Sequence, residues 1–221
     1  MKSYILIIFV ILFSAASYFF YITDPVRYWE YFQGGNPEGH IEWVQFGFYL
    51  VAGLIFTVVG VSRLKKLKKS VSVTITGFGV FVIAVAFEEV SWGQKIWNFE
   101  APKRIRDANT QGELTLHNLS IVQDSIILGY IFSGLSLTAM AILSRKLGTK
   151  YRAVNGLLPN VKLSPFYFLV AGFYFWIGYI NPHLSNPVEN HQEFFETLFS
   201  AGIMLWALQV YRQLKPHSDV T

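Results

Sequence analysis

Six runs of almost unbroken apolar residues, at 4–22, 41–61, 71–90, 121–143, 165–180 and 194–211, divide this 221-residue chain. Each is close to the ~20 residues that an α-helix needs to cross the hydrocarbon core of a bilayer. Inside that core the backbone has no water to bond, so a spanning segment must be a helix or part of a closed barrel. Apolar runs of this length read as helical spans. The expected fold class is therefore all-α, a polytopic membrane protein of about six transmembrane helices, forming a single domain over residues 1–221. An outer interfacial segment lies between the third and fourth helices. Composition agrees: 52% of the residues are hydrophobic and 14% charged, against about a quarter charged in soluble domains.

The first run follows Met1-Lys2, and Ser14-Ala15-Ala16 resembles a signal-peptide cleavage site. The apolar stretch nevertheless continues through Tyr18, Phe19, Phe20, Tyr21 and Ile22, which a signal peptide does not need. An uncleaved first helix is expected. Basic residues then orient the bundle, because short cytoplasmic loops collect Lys and Arg. Arg63, Lys65, Lys66, Lys68 and Lys69 fill the second loop. Arg145, Lys146, Lys150, Arg152 and Lys162 fill the fourth, and Arg212 and Lys215 follow the last run. All three groups share one side if there are six spans, which puts both termini in the cytoplasm. The net charge of +4 is thus explained by topology, and no nucleic-acid partner is expected. Helix starts are signalled by Asn36-Pro37, Asn186-Pro187 and Ser164-Pro165, each a capping residue before proline, and by the capping box Ser120-x-x-Gln123.

With this topology, acidic residues from Asp24 to Glu196 gather on the outer side, together with His40, His117, His183 and His191. Glu38, Glu42, Gln45 and Tyr49 fall at i, i+4, i+7 and i+11, and Glu189, Glu193, Glu196 and Ser200 repeat that spacing. Each set is a polar stripe descending one face of an apolar helix. Lipid penalises such stripes, so they should face each other or a wet cavity. Glu88 and Glu89, at the end of the third run, would join them. The helix dipole by itself accounts for acids such as Glu38 and Glu189. Trp29, Trp43, Trp92 and Trp97 suit an aromatic belt, and Lys103, Arg104 and Arg106 a solvated or headgroup-contacting face.

The remaining acids require a metal ion, shared protons or a cationic substrate. The chain has no cysteine, so any metal site must be built from His, Asp and Glu. Candidate ligands for a divalent zinc, manganese or iron ion are His117, Glu113, Glu196, His191, His40 and Glu42. Glu113 and His117 are brought together only if their segment is helical. Glu88, Glu89 and Glu193 are the candidate catalytic residues. Ser91, Trp92, Gln94, Asn109, Gln111 and Asn118 are the candidate substrate-binding residues.

Glu88-Glu89-x-Ser91-Trp92-Gly93-Gln94, followed by Asn109-x-Gln111-x-Glu113-x-x-Leu116-His117-Asn118, resembles a signature of a group of uncharacterised bacterial multi-pass membrane proteins. The match covers about 30 residues. It implies a bacterial inner-membrane location and supplies no reaction. The leading expectation is a metal-dependent hydrolase or transferase acting on a lipid or lipid-linked substrate at the outer leaflet, with residues 92–99 lying in the interface. Alternatives are a small proton- or cation-coupled transporter or channel, and a non-catalytic assembly partner. Nothing in the sequence sets an oligomeric state.

The topology is tested by single cysteines at Lys66, Asn109 and Asn186 in this cysteine-free chain. An impermeant thiol reagent applied to intact cells should label positions 109 and 186 and leave position 66 protected. The reverse pattern would place the acidic stripes on the cytoplasmic side.

Overall fold

The polar stripes continue inward as apolar ones, and that continuity organises the bundle. A computed structural model describes residues 12, 16, 19–32, 40–62, 67–109, 112–116, 119–147, 156–180 and 191–214. Its helices are α1 (Pro25–Phe32), α2 (His40–Ser62), α3 (Lys69–Glu89), α4 (Gln94–Trp97), α5 (Lys103–Ala108), α6 (Ser120–Leu147), α7 (Ser164–Phe175) and α8 (Gln192–Leu214). Five stretches, Ile41–Ser62, Lys69–Glu89, Ser125–Lys146, Val161–Ile180 and Gln192–Gln213, are long and apolar enough to cross a membrane. The chain is an all-α polytopic membrane protein. Of the first expected span, 4–22, residues 12, 16 and 19–22 are helical and the rest lies outside the described residues. Asn36-Pro37 and Asn186-Pro187 also lie outside them, as do the side chains of Ser120 and Gln123.

On α2, Gln45, Tyr49, Ala52, Phe56 and Val59 are buried at alternating intervals of four and three. This extends the Glu38-Glu42-Gln45-Tyr49 stripe down the whole helix. On α8 the same series runs Ser200, Ile203, Ala207 and Val210, all buried, below Glu193 and Glu196. Ile75, Phe78, Val82 and Val85 of α3 join that core, and Glu89 is the next position along their face. α2 packs between α3 and α8, α8 also packs on α7, and α7 carries α6.

The start of α7 departs from the Ser-Pro reading. Ser164 is already helical and its hydroxyl donates to the Val161 carbonyl at 2.7 Å. A short 3-10 turn, Val161–Leu163, precedes it, and the Asn160 side chain accepts from the Lys162 N–H at 3.0 Å. The capping task has moved four residues upstream, since a residue within the helix cannot bond the next N–H groups as a cap does. At its other end α7 runs on as a π-helix, Trp176–Ile180.

α2 and α3 approach more closely than large side chains permit. A Cβ at Gly79 would lie 2.5 Å from the Thr57 nitrogen and 2.8 Å from the Gly53 carbonyl. One at Gly53 would meet the Gly79 carbonyl at 2.8 Å. Small residues that let backbones touch are the usual adhesive of membrane helices. Gly79→Ala should push α3 off α2 and lower stability by about 1–3 kcal/mol, read as a reduced unfolding midpoint in detergent. Gly77→Ala, where a Cβ meets nothing within 4 Å, is the control and should leave the midpoint unchanged.

Candidate functional site

The adjacent carboxylates at the end of α3 part company. Residues one apart on a helix point about 100° from each other, so Glu89 follows the core stripe while Glu88 turns to the loop. Glu88 accepts from Trp92 Nε1 at 2.5 Å and from the Leu116 N–H at 2.7 Å. Between these contacts the chain makes a sharp corner in which Ser91, Trp92 and Gly93 have φ of 48°, 55° and 76°. Left-handed backbone costs a non-glycine residue roughly 1–2 kcal/mol, and local bonds offset it. Ser91 Oγ donates to Glu113 Oε2 at 2.9 Å, and the Gly93 N–H to the Val90 carbonyl at 2.7 Å.

The rest of the loop is tied the same way. Gln94 Oε1 accepts from the Leu114 N–H at 2.6 Å. Asn109 Nδ2 donates to Thr115 O at 2.9 Å and to Thr115 Oγ1 at 3.1 Å, while its Oδ1 accepts from the Glu113 N–H at 3.1 Å. Six residues singled out as catalytic, ligating or substrate-binding, Glu88, Ser91, Trp92, Gln94, Asn109 and Glu113, are thereby joined to one another's segments, and Ser91 and Asn109 are buried. Trp92 stacks on Phe87 with ring centroids 5.7 Å apart. Residues 112–116 are not helical: Gly112 has φ of 72°, and Asn109 holds Thr115 in an extended turn. The helical condition for joining Glu113 to His117 is not met over those residues. Gln111, His117 and Asn118, and the side chain of His40, lie outside the described residues.

Glu89 enters a different neighbourhood. The charges acting on it come from Glu196, Glu193, Glu42 and Glu88, so carboxylates from α2, α3 and α8 share one region. The two sequence stripes meet there. Gln45 Nε2 donates to Glu193 Oε2 at 2.9 Å, and lies 3.1 Å from both the Glu193 carbonyl and Thr197 Oγ1. Three phenols complete the wall. Tyr174 of α7 donates to Glu196, Tyr49 and Tyr130 are hydrogen-bonded, and the Tyr130 and Tyr174 rings stack with centroids 4.4 Å apart. Tyr130 and Tyr174, in the middle of their apolar runs, were not among the residues singled out from the sequence.

Beneath the cluster the bundle closes. Phe56, Phe78 and Trp206 pack ring on ring, with centroid separations of 4.9, 5.1 and 5.4 Å. Contacts of this kind contribute about 0.5–1.5 kcal/mol each beyond their buried area. The polar region therefore lies near the end where α2 and α8 begin, above an apolar floor.

Among the described residues no group of three His, Asp or Glu side chains could hold a metal ion. His191 is engaged elsewhere: its Nδ1 lies 3.0 Å from Tyr28 OH, and its ring meets the Tyr21 ring edge-on at 5.2 Å. No family model, curated protein or solved structure matches the chain significantly.

Burial lowers the His191 pKa below the usual histidine range. The unfolded chain thus binds the proton more readily, and stability rises with pH between the lowered pKa and the ordinary value of about 6.5. This contribution is complete above the ordinary value and is lost as pH falls through that window. Shifting purified protein from about pH 7.5 to about pH 5.5 should lower its unfolding midpoint. In His191→Phe the decrease should be smaller.

Proposed function

We propose that this membrane protein is a hydrolase or transferase acting on a lipid or lipid-linked substrate, with Glu89 and Glu193 supplying its acid-base chemistry. The observation that carries this reading is the convergence of Glu42, Glu89, Glu193 and Glu196 from three helices above an aromatic floor. Carboxylates crowded in a low-dielectric site differ in their hold on a proton. One that gives a proton beside one that takes it is the requirement for splitting or transferring a headgroup. Glu193 is positioned by Gln45, whereas Glu89 has no hydrogen bond or ion pair with any described residue and is left to meet a substrate. In a bacterial inner membrane with both termini cytoplasmic, the site opens to the outer leaflet. The floor of Phe56, Phe78 and Trp206 weighs against a path for ions through the bundle.

A divalent zinc, manganese or iron ion is the second reading, favoured by the same gathering of acids. It would need His117 or His40 beside Glu42 and Glu196, because the described residues supply no complete ligand set.

Headgroup release from mixed phospholipid vesicles by the reconstituted protein tests the proposal. Wild type should convert at least one lipid class, and Glu89→Gln should slow this by about 10²–10⁴-fold. No conversion of any lipid by a folded wild type sinks it. Elemental analysis of the same preparation separates the two readings. Wild type without stoichiometric metal leaves acid-base chemistry on the carboxylates, whereas metal lost together with activity in His117→Ala replaces it with the metal reading.

A further inference from the structure

We infer that the carboxylate cluster seats a protonated primary amine, carried by the headgroup of a lipid. This rests on the lipid-enzyme reading of the same cluster and names the chemistry of its substrate.

The decisive side chain is Gln45. It is wholly buried, its Nε2 donates to Glu193 Oε2, and its Oε1 has no hydrogen-bond partner among the described residues. The reverse orientation of the amide would set its oxygen against the Glu193 carboxylate, so the donor side is fixed by its neighbour. Oε1 belongs to the same small planar group and therefore lies beside that carboxylate. A buried acceptor left without a donor is unfavourable, and here it belongs to the amide that bonds Glu193, one of the carboxylates acting on Glu89. Gln45 Oε1 and ionised carboxylates can only accept. Together they call for a ligand that brings several donors and a positive charge.

A metal ion and an ammonium group differ in what they ask of such a site. A hard divalent ion draws several oxygens to about 2.0–2.6 Å, and the described acids are not grouped in that way. An ammonium takes its acceptors at hydrogen-bond distance, roughly 2.7–3.2 Å, and gains from aromatic faces nearby. Tyr49, Tyr130 and Tyr174 border the same carboxylates: Tyr174 bonds to Glu196, and the Glu89 and Glu196 charges act on Tyr49. Three N–H donors would satisfy Gln45 Oε1, Glu193 and Glu89 at once. A quaternary ammonium has none and would leave Gln45 Oε1 unmet. Spans with apolar flanks and an apolar floor leave acyl chains, rather than water, to accompany the amine.

The test is binding of dioleoyl phosphatidylethanolamine, phosphatidylcholine and phosphatidylglycerol to the full chain in detergent, followed by native mass spectrometry, with free ethanolamine as the soluble competitor. Phosphatidylethanolamine should bind about tenfold or more tightly than the other two. Gln45→Leu and Glu89→Gln, each confirmed as folded by its unfolding transition, should lose most of that preference. Equal binding of the three lipids by wild type overturns the inference, as does a preference that both variants retain. Free ethanolamine binding as tightly as the lipid overturns the lipid assignment. A wild type that converts a lipid without preferring an amine headgroup removes this inference and leaves the enzyme reading standing. One that binds the amine lipid but converts none removes the enzyme reading and leaves the site.

Discussion

The hydrogen bond from Gln45 to Glu193 joins the two helices that carry the descending polar stripes. In hydrocarbon neither helix can turn such groups outward without losing their partners, so each must present its stripe to the other. Interhelical bonds of this kind contribute only about 0.6–2 kcal/mol. Their larger effect is on rotation. With Gln45 facing Glu193, Ala52, Phe56 and Val59 of α2 are turned inward together with Ile203, Ala207 and Val210 of α8, and all are buried. α3 then fits against α2 through Gly53, Gly79 and Thr57, and α7 reaches α8 through Tyr167, whose hydroxyl donates to the Gly202 carbonyl at 2.9 Å.

Glu88 and Glu89 show how neighbouring residues of one type acquire unlike tasks. Glu89 continues the face of Phe78, Val82 and Val85, which belong to the core. Glu88, one position earlier, binds the Trp92 indole and the Leu116 backbone and so closes the loop over the end of α3. Ser91, Gln94, Asn109 and Glu113 serve the same closure. Their polar groups hold a left-handed corner and a buried turn in place. The loop is thus a braced support beside the cluster, and a substitution in it acts on Glu89 through the position of the helix end.

The helical fold was legible because length and apolarity determine what can cross a membrane, and the 4-3-4 spacing of Glu38, Glu42, Gln45 and Tyr49 carried the orientation of α2. The meeting of that stripe with Glu193 followed from the same physics. The split between Glu88 and Glu89 was not legible, because the direction of each depends on where α3 ends and on a corner whose positive φ at Ser91 and Trp92 no residue type announces. Tyr130 and Tyr174 were hidden for a different reason. Their neighbours in sequence are apolar, and only the packing of α6 on α7 and α7 on α8 shows that Tyr174 bonds to Glu196 and Tyr130 to Tyr49. The loop residues were noticed for the right chemistry, hydrogen bonding, but the sequence could not say that their partners lay within the loop.

Read downward, the stripe of α2 passes from Glu42 through Gln45 and Tyr49 to Ala52 and Phe56, and that of α8 from Glu193 and Glu196 through Ser200 to Ile203 and Ala207. Charge gives way to neutral polarity and then to hydrocarbon within about two to three turns, which is the order the rising cost of desolvation demands. The same gradient gives the site its chemical value. The carboxylates stand near the helix ends, in the first turns of α2 and α8 and the last turn of α3, while the tyrosines and the aromatic floor keep the lower boundary apolar, so electrostatic interactions there are stronger than in water. A group bound at the level of Gln45 would sit where charge is still supplied by the protein and water has already been thinned, which is the condition under which proton transfer between fixed carboxylates and a lipid headgroup is most sensitive to their arrangement.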